Sequence, residues 1–204
     1  MNKAILPRLG AACGAVFAIV LVVANGNGNH PFSGPRAIAG IAALTLVVPF
    51  LAYLCGLLRQ AEGANGWLAT TALAAGSTGI TLKLASGAPE LAIHRAHIAG
   101  GTPLHKALED MAGGVTLLSL YPLAVFCAAT AIIALRSGVL PRWLGVGAAL
   151  TAAALAINGG FFNSTIVPAL LLFALWTLLT SVHLVRRASR EYAPVGHAEA
   201  VAGA

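Results

Sequence analysis

Three of the six histidines crowd into residues 89–110, which also hold Glu90, Glu109 and Asp110. Taken as helix from Pro89, the residues Glu90, His94 and His97 fall at i, i+4 and i+7 and share one narrow stripe. Gly100 and Gly101 are expected to break that helix. Thr102 is expected to cap the next one, with Pro103 at its first position. On this second helix His105 and Glu109 again lie one turn apart. Two imidazoles and a carboxylate on one face, with a His/Glu pair across a turn, offer the N and O donors that suit zinc or a similar divalent ion. Imidazole in general changes charge near neutral pH, so the same cluster would also suit a proton sensor. The plainest expectation needs no cofactor: an amphipathic helix on the outer membrane surface with its polar stripe in water.

A second cluster lies nearby. Lys83 sits near the end of a largely apolar run, where an ammonium must pair or reach the interface. Glu109 and Asp110 open the next such run and are the expected partners, with snorkelling the alternative. With Thr78 and Thr81 from the same run as Lys83, these residues form the expected lining of a small polar pocket. No ionisable residue falls at the middle of any apolar run, which argues against a pump with a carboxylate relay. Cys13, Cys55 and Cys127 show no paired spacing, so neither a disulfide framework nor a Cys-x-x-Cys site is expected. Phosphate-binding loops, zinc-protease motifs and nucleophile elbows are absent from the sequence.

The elements that must position these groups follow from where charge is missing. Residues 9–35, 37–58, 63–82, 111–135 and 143–185 carry no formal charge. A membrane helix needs about 20 apolar residues, so the first four runs each hold one span and the last holds two. Expected spans are about 7–24, 37–58, 67–85, 111–135, 143–157 and 166–185, hinged in the last run at Asn158-Gly-Gly-Phe-Phe-Asn-Ser-Thr165. The fold class is therefore all-α: a six-helix transmembrane bundle with a short outer amphipathic helix between spans three and four. Residues 1–188 form one membrane domain, and 189–204 an expected disordered cytoplasmic tail. The first run is read as a retained helix rather than a cleaved leader. Small-residue grooves at Gly10/Gly14, Ala75/Gly79 and Gly145/Ala149/Ala153 are expected helix contacts.

Charge placement sets the orientation. Cytoplasmic termini would put Lys3, Arg8, Arg59, Arg136, Arg142, Arg186, Arg187 and Arg190 inside, against Arg36, Lys83, Arg95 and Lys106 outside. That bias favours both termini in the cytoplasm. The net charge of +6 is thus topological, and no nucleic-acid partner is expected. Expected partners are the lipid bilayer and, within it, a second copy or another membrane protein.

The stretch from Tyr121 to Gly145, and Leu172-Phe-Ala-Leu-Trp-Thr-Leu-Leu after it, resembles uncharacterised multi-pass membrane proteins of high-GC bacteria. The clearest element is Ser-Gly-x-Leu-Pro-Arg-Trp-Leu-Gly at 137–145. The resemblance implies a helical membrane bundle in a bacterial plasma membrane, with no established activity and no functional residue to carry over. The expected function is non-enzymatic binding or passage of a small solute or lipid at an outer polar pocket. Two alternatives stand beside it: a metal-dependent membrane enzyme using Glu90, His94, His97 and His105, and an accessory subunit of a membrane complex.

Overall fold

A computed structural model describes residues 5–26, 34–63, 65–161 and 166–191. Among them the chain forms seven helices and no strand: α1 (Ile5–Gly26), α2 (Gly34–Glu62), α3 (Trp67–Ala85), α4 (Gly87–Arg95), α5 (Pro103–Ser137), α6 (Arg142–Phe161) and α7 (Ile166–Glu191). Four segments are long and apolar enough to cross a membrane: Gly40–Glu62, Pro103–Ser137, Arg142–Gly160 and Pro168–Ser189. The apolar part of α1, Arg8–Val23, is shorter. Helix α3 has 19 residues but carries more hydroxyls. Two of these, Thr70 and Thr71, donate back to the carbonyls of Gly66 and Trp67 at 2.9 Å, which lets a threonine sit on a helix without an outside partner.

The long helices pack in a closed order: α1 on α2, α2 on α3, α3 on α5, α5 on α6, α6 on α7, and α7 back on α1. Neighbours run antiparallel. Gly76 and Gly79 of α3 face Phe126 and Leu123 of α5, while Gly145 and Gly159 of α6 face Leu135 and Tyr121 of α5. Gly10 and Gly14 of α1 likewise face Tyr53 and Phe50 of α2. The up-and-down order places the start of α1 and the end of α7 at the same end of the bundle. Helix α4 lies at the opposite end, against α5, α2 and α3.

The interior is filled by rings. Phe126 meets Trp176 edge-on at 5.9 Å and Phe173 at 6.5 Å, and Phe17 meets Phe173 at 6.3 Å. The Trp176 indole donates to the Leu144 carbonyl at 3.1 Å, so its polar atom is satisfied inside the bundle. Outward, Val48, Leu118, Leu150 and Leu175 are exposed on four different helices. An apolar surface of that extent belongs against hydrocarbon rather than water.

Close helix approach uses small residues: Gly10 and Gly14, Gly79 and Gly145 are close contacts as the pattern implies, while the rest of the grooves on α3 and α6 takes a different register. On α3 the buried stripe is Ala72, Gly76 and Gly79, with Ala75 only half-buried; on α6 Ala148 and Ala152 are buried while Ala149 and Ala153 are exposed. Small-xxx-small spacing finds a groove, but in a chain this rich in Ala and Gly several phases satisfy it.

Capping explains the helix ends. Glu62, closing α2, accepts from the backbone N–H groups of Leu68 and Ala69 at 3.1 and 2.8 Å, so one carboxylate satisfies the open start of α3. Thr102 caps α5 by accepting from the His105 N–H at 3.2 Å, with Pro103 in the first turn. At 137–145 several residues of the motif have identifiable tasks. Gly138 takes a left-handed φ of 67° to end α5, Leu140 and Leu144 are buried, and Trp143 is exposed on the rim. A side chain at Gly145 would meet Leu135 at 2.9 Å. The Val139 carbonyl accepts from Arg187 of α7 at 3.1 Å, tying the last helix to this turn.

Two local expectations are corrected. The helix from Pro89 does not run to Gly100: it ends at Arg95, and His97 adopts φ 49°. Backbone bonds from His97 to His94 and from Ile98 to Ile93 form a Schellman turn, with His97 in the left-handed place usually given to glycine. And Asn158, Gly159 and Gly160 continue α6 rather than starting a hinge. Residues 162–165 of the expected hinge, and the tail beyond 191, lie outside the described residues.

Candidate functional site

The last turn of α3 carries Lys83 into the seam with α5. There its ammonium donates to the Thr116 hydroxyl at 3.0 Å. Thr116 is buried, and so is Ser119 one turn along, which donates to the Thr116 carbonyl at 2.6 Å. On the other side buried Ser86 donates to the Lys83 carbonyl at 2.7 Å. Ser86 is also the single residue between α3 and α4, so the chain turns onto α4 directly over the lysine. Lys83 has three N–H donors, and Thr116 is its only acceptor among the described residues, so two donors remain to be met.

Glu90 approaches from α4. Its carboxyl is half-buried, and burial pushes its pKa above the usual carboxylate range. The Lys83 charge pulls it back in part, and the Glu109 charge adds a smaller upward push. Glu109 itself is exposed on the first turns of α5, where its carboxylate lies 3.4 Å from Nδ1 of His105. The site is thus a lysine held by hydroxyls at the end of the bundle, with one raised carboxyl beside it and a His/Glu pair above.

The expected site residues divide accordingly. Lys83, Glu90 and Glu109 fall within one electrostatic neighbourhood. Asp110 is exposed, and no ion pair within 4 Å joins Lys83 to Glu109 or Asp110 among the described residues. Thr78 and Thr81 are exposed on the far side of α3 from Lys83. Steps of five and two residues from position 83 rotate a helical side chain by about 140–200°. His94 is exposed on α4, His97 is exposed in the turn after it, and His105 is half-buried. Among the described residues no three His, Cys, Asp or Glu side chains converge on a point that would hold a metal ion.

Thr116 and Ser119 are the residues of the Lys83 seam that sequence reading passes over. Pairing α3 with α5 in antiparallel register from Gly79 and Leu123 would have placed Ser119 opposite Lys83, with Thr116 one turn further toward the start of α5; the sequence offers no other signal for them. No protein-family model, curated protein or solved structure matches this chain.

Proposed function

We propose that this chain is a six-span protein of a bacterial plasma membrane, with both termini cytoplasmic, that binds or passes a small solute or lipid headgroup without covalent catalysis. The observation that carries the reading is Lys83, a half-buried cation in the α3–α5 seam with Thr116 as its one acceptor among the described residues, which leaves two N–H donors for solvent or a ligand. A ligand offering an anionic oxygen at the outer end of the bundle would satisfy them. The antiparallel packing supports the orientation, because it brings Arg8, Arg59, Arg136, Arg142, Arg186 and Arg187 to one end and Lys83, Arg95 and Lys106 to the other. The six-span reading adds α1 and α3 to the four longer segments, and the packing of α3 against both α2 and α5 supports it.

The test is the complement of small molecules and lipids retained by the protein purified in native-lipid discs, read by mass spectrometry. Wild type should retain an anionic species that Lys83→Met loses and Thr116→Val holds more weakly. Identical complements in wild type and Lys83→Met would sink the proposal. A stoichiometric metal in the same preparations, lost on His105→Ala, would favour the metal-dependent alternative, and a co-purifying membrane protein the accessory one.

A further inference from the structure

Hydroxyls in this bundle follow a rule with a cluster of exceptions. Thr45, Thr70, Thr71, Thr151 and Ser137 each donate to the carbonyl four residues back, at 2.7 to 2.9 Å. That is how hydroxyl side chains are normally accommodated in helices surrounded by apolar groups. Thr130, Thr177, Thr180 and Ser181 do not: all four are fully buried, and their hydroxyl oxygens meet no hydrogen-bond partner among the described residues.

These four lie within about one helical turn of one another in depth. Phe126, Phe173 and Trp176 are in ring contact. Thr130, Thr177 and Thr180 each follow one of those rings by four residues, on the same helical face. Helices α5 and α7 run in the same direction, so the step of four moves all three about 6 Å toward the end that carries the termini. Ser181 lies one turn past Thr177 and presses on Gly14 of α1. A layer of hydroxyls from α5 and α7 therefore sits just beneath the aromatic cluster, far from Lys83. Ser119 and Thr130 are separated by 11 residues of helix, about 17 Å.

Unpartnered hydroxyls in a protein interior are unfavourable, and in hydrocarbon no bulk water reaches them. We infer that this layer is a second, interior binding site that takes a small uncharged hydrogen-bonding molecule, either water or a hydroxylated solute. The chemistry is set by the donors present: hydroxyls give and accept, and none of these four side chains carries a charge to hold an ion. The aromatic cluster above closes this site from the lysine end.

The test uses the full-length protein in lipid discs. Thr130→Cys and Thr180→Cys, made separately with Cys127 left in place, are exposed to a small neutral thiol reagent. Thiols in dry apolar surroundings resist ionisation and react slowly, whereas a hydrated pocket admits both water and reagent. Both new cysteines should react about tenfold or more faster than Cys127, which is fully buried three residues before Thr130. Protection by glycerol would identify a hydroxylated solute as occupant, and an unchanged rate would identify water. Rates no faster than that of Cys127 would overturn the inference. Thr130→Val and Thr130→Ser give an independent reading should the cysteine variants fold poorly. An occupied site predicts that valine lowers the melting temperature and serine restores it. A dry site predicts that valine raises it, because an unsatisfied hydroxyl has been removed.

Discussion

Lys83 betrays its site from sequence because a cation near the end of an apolar run has few tolerable arrangements. Its partner is less legible. The nearest acids in the sequence are Glu109 and Asp110, yet the acceptor within bonding distance is Thr116, a full helical turn and more deeper. A hydroxyl carries no signal in composition, and only helix register brings it near the lysine. Glu90 shows the same limit: its phase with His94 is readable, but its nearness to Lys83 depends on how α4 folds back. The raised pKa of Glu90 makes a testable pH effect. A carboxyl whose folded-state pKa lies above its unfolded value favours the folded state while protonated, and loses that advantage as pH rises through the raised value. The melting temperature of the wild type should therefore fall as pH climbs from about 4.3, the ordinary glutamate pKa, through the raised one. Glu90→Gln stays neutral throughout and should flatten that part of the curve. An equal slope in the variant would mean that burial does not act on this carboxyl.

At the level of elements, helix existence was readable and helix phase was not. Runs free of charge locate α1, α2, α5, α6 and α7 because hydrocarbon thickness demands length and apolarity together. Thr102-Pro103 locates the start of α5 because capping is a local interaction. The end of α4 was missed: a glycine pair at 100–101 is the stronger stop signal in sequence, but His97 accepted the left-handed turn three residues earlier. The hydrophobic Ile93 and Ile98 bracket that turn, the contact that commonly accompanies a Schellman ending. Phase decides the contact between α3 and α5. A Cβ at Gly79 would stand 2.7 Å from Leu123 Cγ, whereas one at Gly113 in α5 meets nothing within 4 Å. Gly79→Ala should lower stability in detergent by about 1–3 kcal/mol through overpacking. Gly113→Ala should raise it by up to about 1 kcal/mol, since alanine is the better helix former. Equal effects at the two positions would mean that α3 and α5 do not meet along the Gly79 face.

For the whole molecule, the proposed orientation combines two considerations, of which only the first says which end is cytoplasmic. One is electrostatic: basic residues are retained on the cytoplasmic side of short loops. The other is mechanical: antiparallel neighbours around a closed ring force all odd-numbered turns to one end and all even-numbered turns to the other. Charge bias and ring packing both separate Arg59, Arg136, Arg142 and Arg186 from Lys83, Arg95 and Lys106. Asn65, in the turn between α2 and α3, and Gly100, in the turn between α4 and α5, are both exposed and lie at opposite ends of the bundle. In cells expressing a variant with Cys13, Cys55 and Cys127 replaced, a membrane-impermeant thiol reagent should modify Gly100→Cys in intact cells. It should reach Asn65→Cys only after the membrane is opened. The opposite pattern would invert the protein and put Lys83 on the cytoplasmic side, where its ligand would have to be a cytoplasmic solute or inner-leaflet headgroup. Labelling of both from outside would break the ring, because an odd number of crossings between residues 65 and 100 is what places α3 within the membrane.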